Sequence, residues 1–348
     1  MKALHPVLGA VLAAALSAPA AAADAFEAWL PEDTLFFASL DDWAETCRRY
    51  KGGPLDLFWN DPAMQAFLER PLDRWKQWND EARAKAGVSW DEGIALLQGQ
   101  LSVAIPRLVA ERGGEPDIVI LCDLGENAAK VPELLKRVEE TAGKDLRRTE
   151  EEFRGVTLVT FLKEGAGEPE PDTAYFLDGA TFAIANRPEP LRDVVARRGD
   201  PEAPSLGRSE TFRKMRQRAG ARVDAFAYAD VQALIAALAG EIGMGGEKAA
   251  TIIQGLGLGT VRAMSLGLEL QPEGIAQSVH VLAPGKKSGA LKLVDGKNAA
   301  LAPPRFVPPD AVSWGAWTCD FQGLWAEARA AAENIQPGAG AQMDMYLE

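Results

Sequence analysis

One local pattern recurs along the chain: an uncharged apolar run, then an Asp, then an amphipathic helix. It stands at 36–47 (FFASLDDWAETC), at 225–238 (AFAYADVQALIAAL) and at 314–328 (WGAWTCDFQGLWAEA). The order of residues has a physical reason. An Asp at the strand–helix junction offers its carboxylate to the free N–H groups of the first helical turn, and its charge suits the positive end of the helix dipole. A strand needs neighbours and an amphipathic helix needs an apolar surface to cover. The expected fold class is therefore α+β, with largely antiparallel sheets, packed helices and repeated strand–Asp–helix units.

The remaining elements follow from period and punctuation. Strands are expected at 101–105, 117–123, 147–153, 156–162, 173–177, 181–185, 260–270 and 275–282. Asp178-Gly179-Ala180 marks a hairpin, since Gly tolerates the positive φ of a tight turn. A helix begins after Asp61-Pro62, and Pro71 inside it predicts a kink or two abutting helices. Its Met64, Phe67, Leu68, Leu72, Trp75 and Trp78 recur at helical spacing and read as a core stripe. Ser89-Trp90-Asp91-Glu92 has capping-box spacing. Further helices are expected over 126–142, 188–197, 209–218, 231–238 and 247–255, with a short helix and linker over 285–304.

A Gly opens a strand pair twice, at Gly99 and Gly259, so 223–283 reads as a shorter version of 30–123. A second echo is longer in range: 30–34 (LPEDT) resembles 307–311 (VPPDA), and 64–69 (MQAFLE) resembles 343–348 (MDMYLE). The division expected is a signal peptide at 1–23, an α+β domain at 24–222, a smaller α+β repeat unit at 223–300 and the start of a further, incomplete repeat at 301–348. Either the chain is a fragment of a longer protein, or its last strand and helix cover an exposed sheet edge.

Residues 1–23 explain the first of these divisions. Lys2 gives a positive start, Val7–Leu16 an uncharged apolar core, and Ala21-Ala22-Ala23 the small residues of a cleavage site. The apolar core is about 10 residues long, against the roughly 20 that span a bilayer as a helix. No Cys follows it to accept a lipid. Cleavage after Ala23 would deliver a periplasmic or secreted protein, and no later run reaches spanning length.

The formal net charge of −13 argues against nucleic acid as a partner, because phosphates repel an acidic surface. With 2 His and 3 Cys, histidine triads and cysteine-rich metal sites are nearly excluded, and no cofactor is expected. Cys47, Cys122 and Cys319 are odd in number and far apart, and each reads as a free, buried small hydrophobe. His280, in mid-strand, reads as a structural side chain. No nucleophile elbow, zinc-helix or Ser-x-x-Lys pattern occurs. One island reverses the acidic balance: Arg208, Arg213, Lys214, Arg216, Arg218 and Arg222, with Glu210 the one acid among them. Within it Arg213, Lys214, Arg216 and Arg218 are the candidate contacts for an anionic partner, a lipid headgroup or an acidic polymer. The plainer reading is a solvated helix face pairing with acids elsewhere.

The Leu30-Pro31-x-Asp33-Thr34 start, the strand–Asp–helix units and the hairpin running into a helix at 177–191 (LDGATFAIANRPEPL) resemble exported bacterial proteins of unknown function built from tandem α+β units. That resemblance implies an envelope location and transfers no catalytic or binding residue. The function expected is a non-enzymatic binding or structural module of the cell envelope, whose partner is an envelope protein or polymer. The alternative is a carboxylate-dependent hydrolase acting on an envelope polymer.

Overall fold

The computed structural model describes residues 25–109, 114–142, 146–163, 170–200, 202–220, 222–241, 257–285, 321–335 and 338–345, with scattered positions between 287 and 308. The strands are β1 (Phe36–Leu40), β2 (Leu101–Ile105), β3 (Leu108–Val109), β4 (Glu115–Pro116), β5 (Val119–Asp123), β6 (Leu146–Phe153), β7 (Val156–Lys163), β8 (Glu170–Asp178), β9 (Thr181–Ala185), β10 (Ala225–Ala229), β11 (Ala263–Gln271) and β12 (Gly274–Leu282). The helices are α1 (Trp43–Tyr50), α2 (Pro54–Asn60), α3 (Pro62–Ala86), α4 (Trp90–Ile94), α5 (Val131–Ala142), α6 (Pro188–Arg198), α7 (Glu210–Ala219), α8 (Val231–Glu241), α9 (Phe321–Ile335) and α10 (Ala339–Met345). Ten strands make one antiparallel sheet in the order β12-β11-β10-β1-β2-β5-β9-β8-β7-β6. The class is α+β with an antiparallel sheet.

The middle of the sheet joins two distant parts of the chain. β1 pairs antiparallel with β10, Ala38 opposite Ala227 at the centre of the register. Both strands lead straight into helices capped by Asp: the side chain of Asp42 accepts from Glu45 N and that of Asp230 from Ala233 N, each at 2.8 Å. Each of those helical stretches is followed by an antiparallel strand pair, β2 with β5 and β11 with β12. The sheet therefore runs unbroken across the 222/223 boundary.

Alternation along the strands sorts side chains to two faces. One face carries Phe37, Phe176, Phe226, Tyr228, Leu121 and Leu158, buried under α6, α7 and the 3-10 turn Phe26–Ala28. Phe212 of α7 is its hub, meeting Phe37, Phe226 and Tyr228 edge-on at centroid distances of 5.6, 5.8 and 5.1 Å. The opposite face is covered over β5, β9 and β8 by Val131 and Leu135 of α5. Edge strand β6 carries Arg147, Arg148 and Glu150–Glu152, charges that oppose strand addition.

Three expectations are corrected. First, of the kink or two abutting helices expected at Pro71, the break does not occur: α3 is one helix of 25 residues through Pro71. The Phe67 carbonyl that Pro71 cannot serve belongs to a residue 72% exposed, where water can replace the lost donor. Second, the aromatic stripe of α3 is not core. Met64, Leu68 and Trp75 are half-buried and Asn79 is buried, while Phe67, Leu72 and Trp78 are exposed. The helix is held instead by polar contacts, Trp75 Nε1 and Asn79 Nδ2 donating to the Asp91 carboxylate at 3.1 and 2.9 Å. Third, Cys47 is exposed, because α1 buries none of its residues. Cys122 is a buried free thiol, as expected, and burial pushes it up to about 12. Cys319, the strand expected at 314–319 and the helix expected at 247–255 lie outside the described residues. Helix α9 begins one residue after Asp320, where the third strand–Asp–helix pattern places it.

The predicted capping box is present in α4. Ser89 Oγ accepts from Glu92 N while the Glu92 carboxylate accepts from Ser89 N. Glu92 also pairs with Arg83 of α3 at 3.5 Å and Arg137 of α5 at 3.0 Å, so one carboxylate ties three helices together. These donors hold Glu92 down at about 2, against an ordinary 4.5, the Ser89 N–H first among them. A depressed carboxyl stabilises the fold above its unfolded value and loses that contribution as pH falls toward its folded one. Wild-type protein should therefore lose more stability to urea between pH 4.5 and pH 2 than Glu92→Gln does, in parallel titrations followed by circular dichroism.

Candidate functional site

The chain from Ala25 to Leu30 is threaded into the core face. Phe26, Trp29 and Leu30 are buried. Phe26 N donates to Gln100 Oε1 at 2.9 Å, and Leu206 N donates to Leu30 O at 2.9 Å. This segment stands between α6 and α7 on one side and the C-terminal ends of β1 and β5 on the other. A cleft opens on each side of it.

The first cleft has a volume of about 590 Å³. Trp29 and Phe212 supply its apolar lining, and Arg197, Arg198, Arg208, Arg213 and Arg216 supply its charge, with Glu27 the one acid in it. Arg197 and Arg198 come from the last turn of α6, where cations suit the helix dipole. Arg198 lies over the Trp29 ring, 5.2 Å from its centroid, and Arg197 donates to the Asp193 and Pro204 carbonyls. Arg208 pairs with Glu202, which holds that carboxyl below its ordinary value.

Helix geometry divides the predicted basic cluster. At about 100° per residue, Phe212 and Met215 define the buried line of α7, and both are fully buried. Arg216 and Arg213 fall to one flank and line the cleft. Lys214 and Arg218 fall away from it, exposed and outside its lining. Arg216 pairs with Asp41 through Nη2 and rests 4.5 Å from the Phe226 ring centroid, and its buried Nη1 has no partner among the described residues. The Arg213 guanidinium has no ion pair or hydrogen bond among the described residues.

The second cleft, about 490 Å³, adjoins the first and shares Ala25, Glu27, Trp29 and Arg216 with it. It is acidic: Asp41, Asp42 and Asp123 line it together with Glu27. All four are also structural. Asp41 accepts from Ser39 Oγ, Asp42 caps α1, Asp123 accepts from Gly125 N, and Glu27 accepts from Gln100 Nε2. Gly99 is required beside them, because a Cβ there would collide with the Asp123 carboxylate. Trp29 is 6% exposed, and its indole N–H has no acceptor among the described residues. Among the described residues no three His, Cys, Asp or Glu side chains group as metal ligands. His280 lies on β12, outside both clefts.

Of the four basic candidates the cleft takes in Arg213 and Arg216 and leaves out Lys214 and Arg218, while Trp29, Glu27, Arg197, Arg198 and Asp123 line the clefts without having been singled out as candidates. The one local signal available was the close grouping of Phe26, Trp29 and Leu30 in sequence. No protein-family model matches the chain, and neither a curated protein nor a solved structure does. Among the described residues no helix is long and apolar enough to cross a membrane.

The two lining arginines of α7 differ in what they hold. Arg216→Gln should cost about 1–2 kcal/mol, since it strands the Asp41 carboxylate and removes a cation from the Phe226 face. Arg213→Gln should stay within about 0.5 kcal/mol of wild type, as expected for an unpartnered surface group. Urea unfolding of both variants at neutral pH measures the contrast.

Proposed function

We propose that this protein is an exported, non-enzymatic binding module of the bacterial cell envelope, and that it holds an anionic group of an envelope polymer in the arginine cleft. The observation that carries the proposal is the convergence of five arginines and Trp29 on one cleft in a chain whose net charge is −13. Most cations of an acidic protein can be neutralised by its own acids. Here the exposed Arg213 guanidinium, which lines the cleft, has no partner among the described residues and is open to a carboxylate or phosphate.

Export rests on the three-part leader at 1–23 and on the likeness to exported tandem α+β proteins. The burial of Phe26, Trp29 and Leu30 agrees with it, because a mature chain starting at Asp24 would fold almost from its first residues onward. Duplication is part of the same reading. The β1 and β10 units share order, Asp caps and following strand pairs, and they meet across the Ala38–Ala227 centre. Expression with the native leader should yield a protein whose mass and N-terminal sequence begin at Asp24. Retention of residues 1–23 would remove the argument for export.

Binding is tested by calorimetry with soluble polyglutamate. Affinity should fall steeply between about 50 and 300 mM salt, roughly as the Debye length shrinks from about 14 to 6 Å. Arg213→Gln should weaken it several-fold, and the double variant Lys214→Gln, Arg218→Gln should bind as wild type does. Absence of salt-sensitive binding would defeat the proposal.

The hydrolase reading retains one supporting observation, the four carboxylates around the second cleft. Their engagement with internal donors weighs against it. Release of reducing ends or peptides from envelope polymer, abolished by Asp123→Asn, would restore it.

A further inference from the structure

Helix α3 carries on one exposed flank a line of aromatic and basic residues. Counting about 100° per residue from Phe67, Arg74 and Trp78 fall within about 20° of it, Pro71 within about 40° and Arg70 within about 60°. Phe67 is 72% exposed and Trp78 48%. The Arg74 guanidinium lies over the Trp78 ring, 5.7 Å from its centroid, so cation and ring share one surface. Arg70 and Arg74 are exposed and have no ion pair or hydrogen bond among the described residues. Further along, Lys85 returns to the same line and pairs with Glu81 at 3.5 Å. The other acids of α3, Glu69, Asp73 and Asp80, fall on the opposite side of a helix about 10 Å wide. Helix α2, joined to α3 at Asp61, exposes Leu57, Phe58 and Trp59 as well. Large apolar side chains scattered singly over a surface need no explanation, whereas a grouping of this kind marks a contact.

We propose that this flank of α3 rests on an anionic lipid bilayer, with Phe67 and Trp78 set into the interface and Arg70 and Arg74 against lipid phosphates. The contact is separate from the arginine cleft and does not depend on it. Its charge complements such a surface, because the two arginines that no acid of the described residues neutralises stand between the two rings. A bilayer interface accepts that order: aromatic rings lie at headgroup depth, and cations beside them reach the phosphates. A protein partner would have to bring acids to the centre of the contact, where an unmatched charge is costly to bury. A second copy of this chain does not bring them. Two-fold pairing about this line, parallel or antiparallel, sets the arginines of one copy against those of the other. The chain's net charge is −13, but the acids of α3 stand one helix width away, about a Debye length at 0.1 M salt.

The experiment is co-sedimentation of the mature protein with two kinds of vesicle, phosphatidylcholine alone and phosphatidylcholine with an equal part of phosphatidylglycerol. Binding should be roughly tenfold stronger to the anionic vesicles and should weaken between about 50 and 300 mM salt. The double variant Phe67→Ser, Trp78→Ser should lose roughly tenfold or more in affinity for them. Arg70→Gln, Arg74→Gln should abolish the preference for the anionic vesicles. Lys76→Gln, on the opposite side of α3, should bind as wild type does. Every side chain replaced is exposed, so the urea midpoints of the variants should match that of wild type. Polyglutamate should bind the aromatic double variant as it binds wild type, so the flank and the arginine cleft succeed or fail separately. Absence of vesicle binding, or anionic-vesicle binding that either double variant leaves intact, would overturn the proposal. So would a dimer in sedimentation velocity that Phe67→Ser, Trp78→Ser makes monomeric, which would assign the flank to a second copy.

Discussion

The pairing of β1 with β10 is the contact on which the rest of the structure depends. It brings Phe36–Leu40 against Ala225–Ala229 across almost two hundred residues of intervening chain, and every other strand of the large sheet is added outward from it. Ala38 faces Ala227 at the centre, so bulk is left to the flanking strands and to the opposite face. There Phe37 and Phe226 converge on Phe212. Pairing and core are thus one event: the same strand register that joins β1 to β10 builds the aromatic cluster under α7.

That arrangement also builds the clefts. Strands β1 and β5 end on Asp41, Asp42 and Asp123, carboxylates that serve helix entry and turn formation and therefore gather at one end of the sheet. Helix α7 must turn Phe212 and Met215 inward, which leaves Arg213 and Arg216 on the flank facing the Phe26–Leu30 segment. Opposite charges are held apart by the width of one buried segment, with the Arg216–Asp41 pair joining the two sides.

Legibility in the sequence varied with how local the cause was. The Ser89–Glu92 cap, the Gly179 hairpin, the Asp61-Pro62 helix start and the strand–Asp–helix junctions were readable because their partners lie within a few residues. The aromatic stripe of α3 misled, because periodicity shows where a face exists and not whether another element covers it. Phe67 and Trp78 share that face and remain in solvent. Cys47 misled for the same reason. Of the four basic candidates, the 3.6-residue repeat alone could separate Arg213 and Arg216 from Lys214 and Arg218, once the buried line of α7 was known.

The sequence by itself determined the local elements, the α+β class, the acidic balance and the basic island, since each follows from neighbouring residues or from composition. Only the tertiary structure decided the strand order, which apolar stripes are covered, and the meeting of Trp29 with Arg197, Arg216, Asp41 and Asp123. Those residues come from five separate stretches of chain. Their proximity is a property of antiparallel pairing at long range, and long-range pairing leaves no periodic mark in a single sequence.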